Sequence, residues 1–383
     1  MKRIAAIFAS LFCLWANILF AQKPLSDSNG EKFQIAVAMP FCGKQLMENP
    51  NHKNAAIGSA CRQYYEGFIL ALDSFKKNEI PIEIKVYDTQ RDTLVFKRIL
   101  EKKDIINSDL IIGPVLKEGN EMMLGFCEKN KIYHVSPFLT LTKSKIENPY
   151  LISVYPDLSY YGNFILEDIV RTGDQSANII VLCGKESNDK VLSASINSLK
   201  SKYPNYIFKN VEIGKYTDLK SAYKLGKINH IIVSSENEFL VNSALRFMAD
   251  SNSFVDMQVY GLKKWLEFTS VNIAQYEQLK VKIISPFYFN YSDQNNKLFI
   301  EKYRERFFTE PNEYAVTGYE QATYFISSLI QQKGELNAID KQEKNKPLSN
   351  WYLIARKPGG KSLQNNKLNI LYFKDGRLER LVY

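Results

Sequence analysis

From Phe33 onward, short runs rich in Ile and Val alternate with segments whose apolar residues recur at helical spacing, and this alternation restricts the fold more than any other feature. "FQIAVAMPF" and "DLIIGP" read as strands without a polar face, and "CRQYYEGFILALDSFKK" sets Tyr64, Phe68, Leu72 and Phe75 on one side of a helix. A strand that is apolar throughout must be covered on both faces, as in a parallel sheet flanked by helices. The series continues through "IPIEIKVYDTQRD", "KIYHVSPF", "ANIIVLCG", "NYIFKNVEI", "INHIIVSS", "MQVYGLKKW" and "VKIISPFYF", with helical segments between. These strands outnumber one sheet, and the chain of 383 residues is long enough for two lobes that each bury a core. The tail alternates and contains "KDG", which suits a closing hairpin.

The chain opens with "MKRIAAIFASLFCLWANILFAQ", two cations before a short apolar run and then a polar segment. This reads as a signal peptide over 1–21, cleaved near Ala21, and places the mature protein in the periplasm. No later stretch is apolar enough to span a bilayer. Formal net charge is +9 at a pI near 9.0, and loss of Lys2 and Arg3 lowers it by two. The lysines are scattered, which reads as a solvated surface favouring anionic neighbours and gives no nucleic-acid patch. Of the cysteines left after processing, Cys42 and Cys61 would close the polar loop between them in a disulfide, while Cys127 and Cys183 read as buried small apolar residues. His52, His134 and His230 have no ligand at metal-site spacing, so neither metal nor cofactor is expected.

Catalytic signals are missing from the sequence. "GGKS" at 359–362 lacks the earlier glycine of a phosphate loop, Ala355 standing in its place. There is no G-x-S-x-G elbow, and no local carboxylate pair marks glycosidase chemistry. The expectation is a protein that is not an enzyme.

The order of "IAVAMPF", "YYEGFILALDSF", "VYDTQRD", "DLIIGP", "HVSPFLT", "NPYLISVYPDLSYYG", "VYGLKKW" and "YRERFFTEPNEYAVTGYEQA" resembles the type I periplasmic binding proteins, the family of the branched-chain amino-acid receptors of ABC transporters. The resemblance covers about Phe33 to Gln331. It implies an α/β fold of two Rossmann-like lobes joined by three hinge crossings, with 33–155 and 285–333 in lobe 1 and 156–284 and 334–383 in lobe 2. A solute would bind between them, beyond the carboxyl ends of the strands.

In amino-acid binders of that family, hydroxyls after the "IGP" strand and the "SP..T" turn hold the ligand carboxylate, and an acid in the second lobe holds its ammonium. Ser136, Pro137 and Thr140 keep the turn. Alignment on Gly113 puts Lys117 and Glu118 where serines are expected, and alignment on Gly261 puts Lys263 where the acid is expected; a slip of register brings Lys264 or Trp265 there instead. A lysine facing an ammonium is repulsive, so the ligand implied is small and polar or anionic rather than an ordinary amino acid. Phe41, Tyr155, Tyr160, Tyr161, Asn188, Ser234, Ser235 and Glu236 stand at or just beyond strand ends or crossings and complete the candidate cleft, whereas Tyr319 reads as packing. Two classes follow from the resemblance: a receptor delivering a small molecule to an ABC permease, or an envelope scaffold partnering a cell-wall synthesis protein, as in the outer-membrane lipoprotein activators of peptidoglycan synthases.

Overall fold

The computed structural model describes residues 32–78, 80–138, 148–251, 254–332, 334, 336, 352–356 and 360–382; the leader expected at 1–21 lies outside them. The chain begins β1 (Phe33–Met39), α1 (Gly43–Glu48), α2 (Ala55–Lys77), β2 (Ile82–Asp88), α3 (Thr93–Leu100), α4 (Lys103–Ile106), β3 (Leu110–Ile112), α5 (Lys117–Asn130), β4 (Tyr133–Ser136) and β5 (Leu151–Ser153). After a first crossing come α6 (Leu158–Arg171), β6 (Asn178–Cys183), α7 (Ser187–Ser198), β7 (Ile207–Glu212), α8 (Tyr216–Ala222), β8 (Asn229–Val233), α9 (Glu238–Ser251), β9 (Met257–Leu262), α10 (Ile273–Gln278) and β10 (Lys282–Ser285). A second crossing leads to α11 (Gln294–Phe307) and α12 (Glu313–Gln331), and the chain closes with β11 (Ile354–Arg356), β12 (Leu363–Asn365), β13 (Asn369–Lys374) and β14 (Arg377–Arg380).

Two seven-stranded sheets result, ordered β11-β12-β5-β4-β3-β1-β2 and β14-β13-β10-β9-β8-β6-β7. The cause is visible in β1. Ile35, Val37 and Met39 pack on one face against Tyr64 and Phe68 of α2 and Phe325 of α12. Ala36 and Ala38 pack on the other against Phe96, Ile111 and Met123. Both faces are dry, so an unbroken apolar run is what the position requires. The second sheet is sandwiched in the same way, with Ile179, Val181, Ile231, Val233 and Val259 fully buried.

The tail does not fall wholly in lobe 2 as expected from 334 onward. β12 runs parallel to β5 and pairs antiparallel with β11, so both extend the first sheet. The return to lobe 2 comes after Asn365, where β13 pairs with β10 and forms a hairpin with β14 around Asp375 and Gly376. The tail thus extends each sheet at one edge, beside β5 and beside β10, while β2 and β7 remain the edges on the other side.

Cys42 and Cys61 are separate thiols, contrary to the expected disulfide. Cys42 takes a left-handed backbone (φ 54) and its Sγ donates to the Pro40 carbonyl at 3.5 Å, while Cys61 is fully buried in the lobe 1 core. Burial pushes the Cys61 thiol up to about 12, which leaves little thiolate for oxidation. Asp88 pins the start of the loop instead, accepting the N–H groups of Cys42 (3.0 Å), Gly43 (2.9 Å) and Gln90 (2.8 Å).

Helices α2 and α12 meet through two glycines. A Cβ on Gly67 would stand 1.8 Å from the Ala315 carbonyl oxygen, and one on Gly318 would stand 1.9 Å from that of Tyr64. The obstacle in each case is backbone, so the helices themselves would have to part. Beside this contact the Tyr64 hydroxyl donates to Gln321 Oε1 at 2.7 Å, within the core.

Two outcomes are expected of this core. Gly318→Ala should destabilise the protein by about 3 kcal/mol in urea unfolding, the upper range for overpacking, because no side chain can yield. His134 is fully buried on β4, and desolvation lowers its pKa to about 3, slightly opposed by the Gly113 backbone. The unfolded chain therefore takes up a proton near pH 6.5 that the folded chain refuses, so this histidine costs stability as pH falls from about 6.5 toward about 3. His134→Leu should flatten the fall over that window by on the order of a few kcal/mol, measured by urea unfolding at a series of pH values.

Candidate functional site

The carboxyl ends of β3 and β4 in lobe 1 and of β9 in lobe 2 come together across the crossings. β3 terminates at Gly113, whose φ of +89 and whose approach to Ala38, 2.2 Å from an added Cβ to the carbonyl oxygen, admit only glycine. The chain then turns into α5, held by Asn120 Nδ2, which donates to the carbonyls of Pro114 (3.0 Å) and Leu116 (2.8 Å). No side chain caps this helix, so its first-turn N–H groups are available to an acceptor. Beside it, at the end of β4, Ser136 is fully buried and its Oγ has no hydrogen-bond partner among the described residues. A buried hydroxyl left unpaired costs on the order of 1–3 kcal/mol.

Lys117 and Glu118 occupy the first turn of α5 but are exposed, with Lys117 Nζ 3.7 Å from Glu121 along the helix. They line no described contact across the groove. Thr140 lies outside the described residues. Phe41 is half-buried with its ring edge-on to Tyr65 at 5.8 Å. Phe138, next to the serine turn, meets Tyr64 (5.5 Å), Tyr155 (6.3 Å) and Tyr314 (5.5 Å) edge-on or tilted, giving the groove an aromatic wall.

Lys263 follows β9 in a short 3-10 turn, and its Nζ pairs with the carboxylate of Glu313 at the start of α12. The Tyr155 hydroxyl donates to the same Glu313 Oε1 at 3.2 Å, and the Lys263 ammonium stands 5.4 Å from the centre of the Phe287 ring. Burial, then the Glu313 charge, raises the Tyr155 phenol well above its usual range, so it remains a donor. Lys263 thus does meet an anion, as its repulsion of an ammonium implied, but the anion is part of the chain. Glu313 was not among the residues singled out from sequence. Its one local signal is the capping asparagine before it, since Asn312 Oδ1 accepts from Tyr314 N (3.1 Å) and Ala315 N (3.2 Å). Gly261 is fixed by Trp265, whose ring would lie 2.4 Å from an added Cβ; the indole is buried and donates to the Ser235 carbonyl at 2.9 Å, so it belongs to the core, and Lys264 pairs with Glu267 in solvent.

The remaining lobe 2 candidates divide. Ser234 and Ser235 are buried and already engaged: Ser234 Oγ donates to Leu182 O on the neighbouring β6 at 3.4 Å, and Ser235 Oγ accepts from Asn237 N at 3.2 Å in its own turn. Asn188 is exposed, Tyr160 is half-buried against the lobe core, and Tyr161 is buried. Glu236 stands exposed on the rim with its carboxyl raised by desolvation, then by Asp189. Asp189 is itself buried and raised by that burial, though it accepts from Glu186 N at 3.1 Å. Lobe 1 therefore offers donors and lobe 2 acids, with Lys263 neutralised between them.

All three crossings meet at a cavity of about 10 Å³ lined by Val154, Tyr155, Pro286, Thr317, Gln321, Tyr352 and Asn365, room for about one water. Thr317 Oγ1, buried and without a partner, faces this junction. Ser362 of the "GGKS" run accepts the Asn148 N–H at 3.0 Å, a structural role. Tyr319 packs on Phe299 at 5.0 Å. Among the described residues no group of three His, Cys, Asp or Glu gathers as a metal site, and no helix is long and apolar enough to cross a membrane.

No protein-family model matches the sequence, and no curated protein matches it. Solved structures do. A candidate branched-chain amino acid ABC transporter protein from Rhodospirillum rubrum superposes with a TM-score of 0.68 at 13% identity, covering 92% of this chain and 100% of that one. An ABC transporter substrate-binding protein from Desulfitobacterium hafniense in complex with Leu gives 0.56 at 15% identity, covering 92% and 100%. LpoA from Haemophilus influenzae gives 0.61 at 13% identity, covering 93% of this chain and 60% of its own length. With two mostly parallel sheets joined at a triple crossing, the chain has the two-lobed type I periplasmic binding protein fold.

Proposed function

We propose that the protein is an exported, non-catalytic solute-binding protein that captures a small polar or anionic molecule between its lobes. The observation that carries this reading is Ser136, fully buried at a strand end with its Oγ unpaired, beside the uncapped start of α5. A carboxylate placed there would satisfy the hydroxyl and the first-turn N–H groups together. Lys117 is too exposed to be its main anchor. The Lys263–Glu313 pair removes the net positive charge that would have turned away an amine, and Glu236 offers an acid on the opposite rim. The occupants supported are therefore carboxylates with a further polar or amino group, delivered in this reading to an ABC-type permease.

A second reading is favoured by the same ion pair. Lys263 and Glu313 bond directly across the lobes, which suits a scaffold in the cell envelope that keeps the fold and binds a cell-wall synthesis protein.

A thermal-shift screen of protein starting at Gln22 against amino acids, dicarboxylates, sugar acids and muropeptides separates the two. A ligand at 100 times its Kd stabilises by about 2.7 kcal/mol. Ser136→Ala should then weaken that ligand about ten-fold or more in calorimetry, the value of a charge-assisted hydrogen bond. Silence across the screen, with capture of a cell-wall enzyme, would favour the scaffold. A ligand bound equally well by Ser136→Ala would remove lobe 1 as its anchor.

A further inference from the structure

The strands of the second sheet begin together: Asn178 is level with Ile207 and Asn229, and Asn229 with Met257. The loops entering β8 and β9 therefore lie side by side at the end of lobe 2 opposite the groove. Asn229, fully buried, ties them to each other. Its Nδ2 donates to the carbonyls of Lys224 (3.0 Å), Lys227 (3.1 Å) and Asp256 (3.0 Å), its N–H donates to Asp256 O at 2.9 Å, and its Oδ1 accepts from Lys224 N at 2.8 Å.

On this fixed platform Leu225 is 79% and Phe254 80% exposed, with Ile228 at 43% between them in sequence. A lone exposed apolar side chain is ordinary. Two large ones next to residues that Asn229 ties to one another, Leu225 beside Lys224 and Phe254 two before Asp256, are a prepared contact surface. Lys224 and Lys227 flank Leu225 in the open, and Lys202 and Lys280 are exposed on the neighbouring strand entries. Lys227 Nζ bonds to the carbonyl (3.1 Å) and hydroxyl (2.9 Å) of Ser176 and not to an acid. The exposed acids of this end are Asp250, Asp256 and, at the β13–β14 turn, Asp375 between the exposed Lys374 and Arg377, so cations still outnumber acids there.

We propose that this end of lobe 2 docks on a membrane bearing anionic headgroups, with Leu225 and Phe254 entering the interfacial layer and the lysines meeting the lipid charge. The scattered lysines of the sequence acquire a common direction only because the parallel register gathers the strand entries. Docking would be reversible and salt-sensitive, since it rests on two side chains and a few exposed charges. It would leave the interlobe groove, at the other ends of these strands, clear of the bilayer, and it stands independently of what that groove holds.

Co-sedimentation with vesicles tests this, using protein that starts at Gln22. Binding is expected to phosphatidylcholine mixed with phosphatidylglycerol and not to phosphatidylcholine alone, with release as salt rises from about 0.1 to about 0.5 M. Leu225→Ser with Phe254→Ser should weaken it about ten-fold. Lys224→Glu with Lys227→Glu should do likewise. The altered residues are solvent-exposed, so unchanged melting temperatures would verify that each variant is folded. The proposal is overturned by failure to bind the mixed vesicles, by equal binding to both lipids, or by full binding of the Leu225 and Phe254 variant. It is also overturned if wild type self-associates on size exclusion and that variant alone becomes monomeric, which would make the surface an interface between copies of the chain.

Discussion

The distance at which α12 can lie against α2 governs the groove. Gly67 and Gly318 give their side-chain space to the opposing carbonyls of Ala315 and Tyr64, and any larger residue would drive the helices apart. Through this contact the segment that returns after the second crossing becomes part of lobe 1. Its first turn, capped by Asn312, then reaches out at the height of the crossings and delivers Glu313 to Lys263 and Tyr155. A glycine contact inside one lobe is thus what allows an ion pair between two.

That pair decides how the cleft behaves electrically. Both partners are about one-quarter to one-third exposed, so water screens them in part and the attraction is well short of a buried bridge. A contact of this strength can hold a hinge closed and still be displaced. A solute entering the groove would shift the lobes only by the difference in its affinity for the open and closed forms. The receptor and scaffold readings differ in whether anything ever competes with Glu313. The unpaired Ser136 hydroxyl speaks for competition, and the ready-made internal anion speaks for a cleft that serves itself.

The sheets were legible in the sequence because their strands are dry on both faces: "FQIAVAM" and "DLII" have no polar period to confuse with a helix or a surface strand. The tail was legible as alternating strands, but which sheet they joined was not, since β12 finds β5 more than 200 residues earlier. In the site, the hydrogen bonds of Ser234 to β6 and of Ser235 within its own turn were not legible, since a serine at a strand end reads the same whether its hydroxyl is engaged by the chain or open to a ligand. Glu313 escaped because its meaning lies in a partner 50 residues away on the other lobe. The spacing from Gly113 puts Lys117 and Glu118 in the first turn of α5, but their exposure and the turn of Lys117 along the helix toward Glu121 depend on the fold and could not be read from that spacing.

Small-angle X-ray scattering on wild type and Glu313→Gln, without added solute, bears most directly on the claim that the lobes are joined by the chain's own ion pair. The account predicts a larger radius of gyration and a longer maximum dimension for the variant, at unchanged far-UV circular dichroism, as the hinge opens. Superimposable scattering curves would contradict it, for the lobes would then be held by something other than Lys263 and Glu313.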